Sequence, residues 1–393
     1  MGFTLQPATK DDFIDREDIL KEMLNTLTDR NIRMGFALVG PRRIGKTSIL
    51  KEVARRLKRK DNIIAVYFSV WDLVDNTAIE FCNRLTLTII ESFKKRLSVK
   101  YKIQHLLKVP ASKLIDFLKT IDFKINILED FEVTLTQSRS KEQDINVIVE
   151  KVFSFAERLS EDMNVRLVLM LDEFPSIIDL KNGAKLGEGI LKKIRTIHEG
   201  LEHTILCVSG SVRKTMDMAV LSQTSAFYRQ FIIKNITPFD APEVKSLMVS
   251  NLKPKITEDA VEVVYHLTRG IPFYVQFIGR ELRGLGGKTI DSKSVQDVFN
   301  EFLDEEGDII FFEELKNFSD KEKTILTAMA INDIKTPKEI CKITKEKSNI
   351  ISRYIEYFLD KGCLEKEEKG TYEFTDPVFK EWLKRRYSMP TKM

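Results

Sequence analysis

A glycine-rich stretch at residues 40–48, GPRRIGKTS, places two glycines, a lysine and a hydroxyl side chain at a spacing suited to binding phosphate. Because Gly40 and Gly45 carry no side chain, such a loop can wrap tightly and point successive main-chain N–H groups at an anion. A helix that starts at the loop adds the partial positive charge of its N-terminus. In the pattern G-x-x-x-x-G-K-[ST], the lysine reaches the β- and γ-phosphates of a nucleotide and the hydroxyl group ligates Mg²⁺. Lys46 is therefore a candidate binding and catalytic residue, and Thr47 a candidate metal ligand.

The residues on either side of this P-loop fit a strand and a helix. Residues 34–39, MGFALV, form an apolar run typical of a buried strand, and residues 45–59 carry apolar side chains at helical spacing. A Gly-Lys-Thr turn in a surface loop is the alternative, and the flanking elements favour phosphate binding instead. The candidate nucleotide-binding residues of the loop are Gly40, Pro41, Arg42, Arg43, Ile44, Gly45, Lys46, Thr47 and Ser48.

A second pair of candidate catalytic residues ends another apolar run, in VRLVLMLDEFPSI at residues 165–177. Carboxylates at the carboxyl end of a parallel strand face the crevice in which an open α/β sheet binds its ligand. We expect Asp172, on a strand neighbouring that of the P-loop, to hold Mg²⁺ directly or through water. Glu173 can accept a proton from an attacking water. Two solvated acids at a strand end are the alternative, and the P-loop earlier in the chain favours the catalytic interpretation.

Three further polar side chains follow the next apolar runs. Ser209, in VSGSV, is a candidate to orient the γ-phosphate or the attacking water, although an ordinary strand-ending turn explains this serine equally well. Arg229, in SAFYRQF, and Arg213 carry guanidinium groups that could stabilise γ-phosphate charge in the chain's own site or in that of a neighbouring copy. A solvated arginine is the alternative for each.

Composition restricts the class of protein. A chain of 393 residues with 43% hydrophobic and 31% charged residues is expected to form more than one globular domain. The net charge of +4 is mildly basic and does not by itself indicate nucleic-acid binding. No C-x-x-C or HExxH pattern occurs, so neither a zinc site nor a disulfide framework is indicated. Without a signal-peptide core or a long apolar segment, we expect a cytoplasmic protein with no membrane partner.

Apolar strands alternate with amphipathic helices through about residue 240, which predicts an α/β fold with a parallel sheet covered on both faces. Residues 122–137 alternate apolar and polar side chains around a Glu-Asp turn, as expected for an inserted hairpin. After about residue 241 the strand pattern vanishes, and three helices are expected before about residue 315. The predicted strands are residues 34–39, 63–70, 165–172, 204–209 and 229–236.

The last part of the chain, from Phe318, predicts a compact unit that resembles a winged helix. Three helices with Ser319, Thr336 and Ser348 as N-caps precede a hairpin that turns at Lys369-Gly370, and a final helix follows. Winged helices bind DNA through the third helix or mediate protein contacts.

The charges of this unit leave both partners open. Four side chains could face a DNA groove, namely Lys345, Lys347, Asn349 and Arg353. The acidic hairpin residues would repel phosphates, and they are Glu365, Glu367 and Glu368. A protein partner and DNA are therefore both candidates.

Five blocks in this order resemble the prokaryotic, mainly archaeal P-loop ATPase family of the AAA+/STAND type. They are FIDREDIL (13–20), GPRRIGKTS (40–48), LMLDEFPSI (169–177), VSGSV (208–212) and TRGIPFYVQF (268–277). The resemblance implies that Phe13, Arg16 and Glu17 lie beside the adenine. It also implies an all-α lid in which the break at Gly270 and Pro272 meets the nucleotide and reports its state. Gly270 can equally cap one helix and Pro272 start the next.

The arginine block departs from the family pattern at one position. Relatives usually carry a glycine immediately before the arginine, and here Tyr228 precedes Arg229.

The resulting prediction is an ATP- and Mg²⁺-dependent ATPase with a P-loop core (1–240), a helical lid (241–317) and a winged-helix domain (318–393). Two function classes remain. The first is a slow nucleotide-dependent switch or regulator with a protein partner, and the second is a DNA-binding ATPase resembling archaeal replication initiators. Assembly into an oligomer is compatible with both.

Overall fold

A five-stranded parallel sheet forms the centre of the N-terminal part, in the order β2-β3-β4-β1-β5. The computed structural model describes residues 2–14, 16–100, 144–211, 216–221, 225–253, 255–285 and 289–388. The strands are β1 Gly35–Val39, β2 Ile63–Ser69, β3 Arg166–Asp172, β4 Thr204–Gly210 and β5 Phe231–Asn235. The predicted α/β fold with a parallel sheet is confirmed. The predicted hairpin at residues 122–137 lies outside the described residues.

Helices bury both faces of the sheet, because its strands carry apolar side chains on both sides. Along β3, Val168 and Met170 pack into one apolar cluster, while Leu167, Leu169 and Leu171 pack into the cluster on the opposite face. Helices α1 and α2 cover the first face, and α3, α4 and α5 cover the second. These helices are α1 Glu17–Thr28, α2 Lys46–Leu57, α3 Ala78–Lys100, α4 Ile145–Asp162 and α5 Gly189–His198.

Between residues 241 and 315, the described residues form five helices and not the predicted three. They are α6 Ala241–Asn251, α7 Glu258–Thr268, α8 Pro272–Gly284, α9 Ser292–Asp304 and α10 Glu306–Leu315. The prediction was wrong, and part of the difference arises because α9 and α10 are separated only by Glu305, a break too short to interrupt the apolar pattern. A short parallel ladder pairs Lys255–Ile256 with Thr289–Ile290, so strand pairing also continues beyond residue 241.

The C-terminal unit contains three helices, a hairpin and a closing helix. They are α11 Asp320–Asn332, α12 Pro337–Thr344, α13 Ser348–Lys361, β6 Leu364–Glu368, β7 Thr371–Phe374 and α14 Pro377–Ser388. Ser319 and Thr336 accept hydrogen bonds from the main chain of α11 and α12 as predicted caps. Ser348 is not a cap, because the extended residue before α13 is Lys347 and Ser348 is already helical.

One apolar cluster extends from Phe239 to Leu383 and includes side chains of α6–α10 and of the C-terminal unit. These two regions therefore share a continuous core. The domain boundaries expected near residues 241 and 318 stay predictions. Within the described ranges, no helix is both long enough and apolar enough to cross a membrane.

Candidate nucleotide-binding site

A cavity of about 410 Å³ lies beside the P-loop, bordered by the N-terminal segment and by α8. This volume is typical of sites for small molecules. The predicted residues that line it are Phe13, Arg16, Arg42, Arg43, Ile44, Gly45, Lys46, Thr47, Ser48, Glu173 and Pro272. The structure therefore brings most of the predicted nucleotide-binding residues to one cavity.

The two P-loop glycines are required by the local backbone. A Cβ atom at Gly40 would lie 2.6 Å from the carbonyl oxygen of Ile236, which is closer than atoms can approach. Gly45 has φ +93°, a left-handed conformation that side chains disfavour, and a Cβ there would lie 3.0 Å from Arg16. The loop reaches the start of α2 only with glycine at both positions.

Lys46, the first residue of α2, points back into the loop. Its Nζ donates to the carbonyl oxygens of Gly40, at 2.8 Å, and Pro41, at 2.7 Å. Burial lowers the pKa of Lys46 to about 8, and the nearby carboxylates Glu173 and Asp172 act in the opposite direction. The ammonium group is therefore held inside the anion-binding loop, where the negative charge of a phosphate would stabilise its protonated form.

Asp172 is the centre of a hydroxyl cluster at the end of β3. Its Oδ2 accepts hydrogen bonds from Thr47 Oγ1 at 2.7 Å and from Tyr67 OH at 2.8 Å, and Ser209 Oγ donates to Oδ1. The carboxylate is almost fully buried. Asp172 and the P-loop threonine, 125 positions apart in the chain, are thus in direct contact.

The strand of Asp172 was predicted to neighbour the P-loop strand, and this prediction was wrong. β4 lies between β3 and β1, so that Leu38 of β1 pairs with Ser209 of β4. Because β4 lies between the strand of Asp172 and the strand of the P-loop, the Ser209 hydroxyl at the end of β4 contacts Asp172. The apolar pattern of the strands cannot specify their order in the sheet.

The donor set suits Mg²⁺, which prefers oxygen ligands and is commonly bound by one or two carboxylates together with substrate phosphates. The Thr47 hydroxyl and the Asp172 carboxylate supply such oxygens side by side. Across the described ranges, no three His, Cys, Asp or Glu side chains form a group that could hold a metal.

Glu173 lines the cavity in a left-handed backbone conformation, with φ 51° and ψ 40°. Its carboxylate accepts from Ser211 Oγ, at 3.0 and 3.1 Å, and from the main-chain N–H of Ser211 at 3.3 Å. Burial raises the pKa of Glu173 above its usual value, which favours proton acceptance. Sequence reasoning missed Ser211, although it is the second serine of VSGSV.

Arg16 forms hydrogen bonds with the P-loop and with the segment after β5. Its guanidinium group donates to the carbonyl oxygens of Ile44, at 2.7 Å, and Thr237, at 2.9 Å, and lies 5.1 Å from the centre of the Phe239 ring. Glu17 lies outside the cavity lining and pairs with Arg56 of α2. Of the predicted FxxRE residues, Phe13 and Arg16 therefore line the cavity and Glu17 does not.

The break between α7 and α8 packs against the main chain of Phe239. Gly270 has φ +71°, and a Cβ atom there would lie 1.9 Å from the carbonyl oxygen of Phe239. Phe239 N–H donates in turn to the carbonyl oxygen of Gly270 at 2.9 Å. Pro272 begins α8 and lines the cavity, so the predicted helix start and the predicted cavity contact occur together.

Arg229 is exposed and lies just before β5, at the amino edge of the sheet. The P-loop follows the carboxyl end of β1, which pairs in parallel with β5 from Gly35 opposite Phe231. Five residues of strand span about 17 Å, so Arg229 does not reach the chain's own cavity. For Arg229, the site of a neighbouring copy and a solvated surface arginine remain as the two interpretations. Arg213 lies outside the described residues.

Several cavity residues carried no sequence signal. They come from distant parts of the chain, namely Thr4, Gln6, Ala8, Trp71, Phe239, Gln276 and Glu314. The N-terminal segment is fixed by hydrogen bonds from Ala8 N–H to Ser48 Oγ, at 3.1 Å, and from Thr4 N–H to Gln276 Oε1, at 3.1 Å. Only the fold brings these residues to the P-loop.

Two protein-family models match this chain. An ATPase domain described as predominantly from Archaea matches residues 13–278, and a domain of unknown function matches residues 308–383. An uncharacterized ATP-binding protein of Methanocaldococcus jannaschii is 24% identical over 296 residues, which are 72% of this chain and 75% of that protein.

Solved structures share the fold over nearly the whole length. The Walker-type ATPase PABY2304 of Pyrococcus abyssi is 19% identical with a TM-score of 0.67, covering 98% of this chain and 99% of that one. The Aeropyrum pernix ORC2 protein, in ADPNP-ADP complexes, is 12% identical with a TM-score of 0.52 and coverages of 97% and 98%. The ORC1 protein of the same organism, in complex with DNA, is 13% identical with a TM-score of 0.50 and coverages of 97% and 95%. The P-loop and α8 border one cavity, Asp172 contacts Thr47 of that loop, and a family model matches two thirds of the chain; the chain therefore belongs to the family of ATPase domains found predominantly in Archaea.

Proposed function

We propose that the protein is a Mg²⁺-dependent ATPase of the AAA+/STAND type that works as a molecular switch. The observation that carries this proposal is the contact of the Asp172 carboxylate with Thr47 and Ser209, beside a cavity lined by Lys46 and Glu173. A phosphate-binding loop, two metal-ligating oxygens and a candidate base are the parts that phosphoryl transfer to water requires.

Each residue has a distinct role in this proposal. The loop N–H groups and Lys46 bind the phosphates, and Thr47 and Asp172 hold Mg²⁺, which neutralises phosphate charge. Glu173 accepts the proton of the attacking water, and burial suits it to this role by raising its pKa. Ser209 orients the Asp172 carboxylate through its hydrogen bond. We expect slow turnover, because a switch must remain in its ATP state long enough to signal.

The switch would couple the nucleotide to a C-terminal winged-helix domain. Three helices, a hairpin and a closing helix from residue 318 support the winged-helix assignment. The lid from residue 241 meets the cavity at Pro272, next to the left-handed Gly270, where a hinge could absorb a tilt. A protein that binds this C-terminal unit is the proposed partner.

Arg229 suits a contact between copies. It is exposed, and it projects from the edge of the sheet opposite the P-loop. In a head-to-tail assembly it would stabilise the γ-phosphate charge of the neighbouring copy.

The proposed activity is tested by ATP turnover of the purified protein with Mg²⁺ and with EDTA, beside Lys46→Ala. We expect the wild type to hydrolyse ATP only with Mg²⁺. Lys46→Ala should neither bind nor hydrolyse ATP, because the P-loop loses the charge that contacts the phosphates. Wild-type ATP affinity of Lys46→Ala in a calorimetric titration would contradict the P-loop assignment.

A DNA-binding ATPase resembling archaeal replication initiators is the second candidate. Its support is the fold shared with ORC1, a protein solved in complex with DNA, and the exposed basic side chains of Lys345, Lys347 and Arg353. The exposed acidic hairpin residues Glu367 and Glu368 oppose this function, because phosphates would repel them.

The two candidates differ in their response to DNA and salt. For the switch, we expect no stimulation of turnover by duplex DNA and an affinity no better than about 10⁻⁵ M, the range of non-specific binding. Nanomolar, sequence-dependent binding would favour the second candidate. In that case, replacing Lys345, Lys347 and Arg353 with alanine should reduce the slope of log affinity against log salt by about two to three units.

A further inference from the structure

Arg43, inside the P-loop, makes a contact across the molecule that phosphate binding does not explain. Its Nη2 lies 2.7 Å from Glu314 Oε1 in α10, and its Nη1 lies 3.0 Å from Asp376 Oδ2 at the start of α14. The loop thus forms ion pairs with residues 271 and 333 positions away. We call Arg43, Glu314, Asp376 and Tyr274 the loop cluster.

The loop cluster is enclosed by aromatic rings. The guanidinium carbon of Arg43 lies 5.3 Å from the centre of the Phe311 ring and 5.8 Å from that of Tyr274, whose hydroxyl group also donates to Asp376 Oδ2. The side chains of Arg43 and Asp376 are 16% and 20% exposed. Ion pairs at this depth are weakly screened, and the loss of one partner leaves the other charge poorly solvated.

Asp376 is itself fixed to a helix. Its second oxygen, Oδ1, accepts from the main-chain N–H groups of Val378, at 3.0 Å, and Phe379, at 3.1 Å, in the first turn of α14. The two oxygens of one carboxylate therefore join the P-loop to α14. Any rotation of α14 that moved Asp376 would have to break its contact with Arg43.

Arg43 also has an unusual backbone conformation. Its φ is +64°, in the left-handed region that residues with a side chain disfavour. Arg43 precedes Ile44, whose carbonyl is held by Arg16, and Gly45, so its conformation sets the path of the loop. The ion pairs with Glu314 and Asp376 hold Arg43 in this conformation.

We infer that Asp376 and Glu314 are positioning residues of the phosphate-binding loop, acting through Arg43, so that nucleotide binding and docking of α14 strengthen each other. The inference rests on the proposed function, because it supplies the contact through which ATP would be coupled to the C-terminal unit. Coupling of this kind is reciprocal. Undocking of α14 must lower the ATP affinity by the same factor by which bound ATP strengthens the docking of α14.

The test uses the full chain with the variants Arg43→Met, Asp376→Asn and both together. Glu356→Gln, an exposed carboxylate of α13 outside the loop cluster, is the matched control. The dissociation constant is measured with a fluorescent ATP analogue, and ATP-induced protection of α14 amides is measured by hydrogen exchange. We expect each single variant to bind ATP about tenfold more weakly, and the double variant no more weakly than the worse single one.

Hydrogen exchange separates positioning from a merely structural role. ATP should protect α14 in the wild type and in Glu356→Gln, and this protection should disappear in Arg43→Met and Asp376→Asn. Unchanged ATP affinity, fully additive losses or retained protection of α14 would each overturn the inference. If Asp376→Asn does not fold, Glu314→Gln leaves the α14 cap intact and should weaken ATP binding in the same direction.

Failure of this inference is distinguishable from failure of the proposed function. A wild type that binds and hydrolyses ATP, with variants that bind equally well, overturns only the coupling through the loop cluster. A wild type that does not bind ATP overturns both.

Discussion

The lowered pKa of Lys46 predicts that ATP binding weakens steeply in mildly alkaline solution. Burial brings the pKa of this side chain from 10.5 to about 8 in the protein without nucleotide. Phosphate oxygens favour the protonated form, so the pKa rises when ATP binds and binding above pH 8 takes up a proton. By linkage, the affinity is constant below about pH 7.5 and falls by up to tenfold for each pH unit above 8.

The magnitude follows from the shift. At pH 9.5 the ATP affinity should be about 30-fold lower than at neutral pH, which corresponds to about 2 kcal/mol of binding free energy. If ATP returns the pKa of Lys46 to 10.5, the largest loss of binding free energy at high pH is about 3 kcal/mol. The ATP phosphates stay ionised throughout, since their last pKa lies near 6. Calorimetric titrations at pH 7.0, 8.0, 9.0 and 9.5, with circular dichroism to verify folding, measure the effect. The side chain of Lys46→Arg keeps its charge, so this variant should lose no affinity over the range. Constant wild-type affinity up to pH 9.5 would refute the prediction that ATP binding loses a needed Lys46 charge near pH 8.

Three further predictions concern the metal site, the lid and the arginine. Asp172→Asn should keep the hydrogen-bonding shape but lower Mg²⁺-dependent turnover on the order of 100-fold, because the negative charge that holds the ion is lost; equal turnover in a Mg²⁺ titration would refute this. Gly270→Ala should lower the free energy of unfolding by at least about 2 kcal/mol in urea denaturation, since φ is +71° and the new Cβ meets Phe239 O. Its control Gly284→Ala, with open space around the new Cβ, should stay within about 1 kcal/mol of the wild type; equal losses would refute the argument. Arg229→Ala should leave turnover of dilute monomer unchanged and reduce only turnover that rises with protein concentration, as an enzyme assay over a dilution series would reveal.

Local patterns were sufficient for the elements and for the motifs. The apolar runs ending at Val39 and Asp172 are strands, and Gly45-Lys46 starts α2, because the properties that define them lie within a few neighbouring residues. The strand pattern could not show that β4 separates β1 from β3, since fully apolar strands fit any position in a buried parallel sheet.

Long-range contacts account for what the sequence left open. Arg43 belongs to a nucleotide-binding motif, yet its guanidinium group pairs with Glu314 and Asp376, which no spacing rule connects to the loop. Ser211 holds Glu173 from another strand end, and the single-residue break at Glu305 divides α9 from α10 within one apolar pattern. The contacts of Arg43 and Ser211 join distant segments, and the break at Glu305 is too short to appear in the apolar pattern.

The proposed ATPase mechanism depends most directly on Glu173. Glu173→Gln preserves the size of the side chain and can still pair with Ser211, but the amide cannot accept a proton from water. The decisive measurement compares ATP affinity and steady-state ATP hydrolysis of this variant with those of the wild type at saturating Mg²⁺. We predict unchanged ATP binding and the loss of turnover. Undiminished hydrolysis by Glu173→Gln would contradict it.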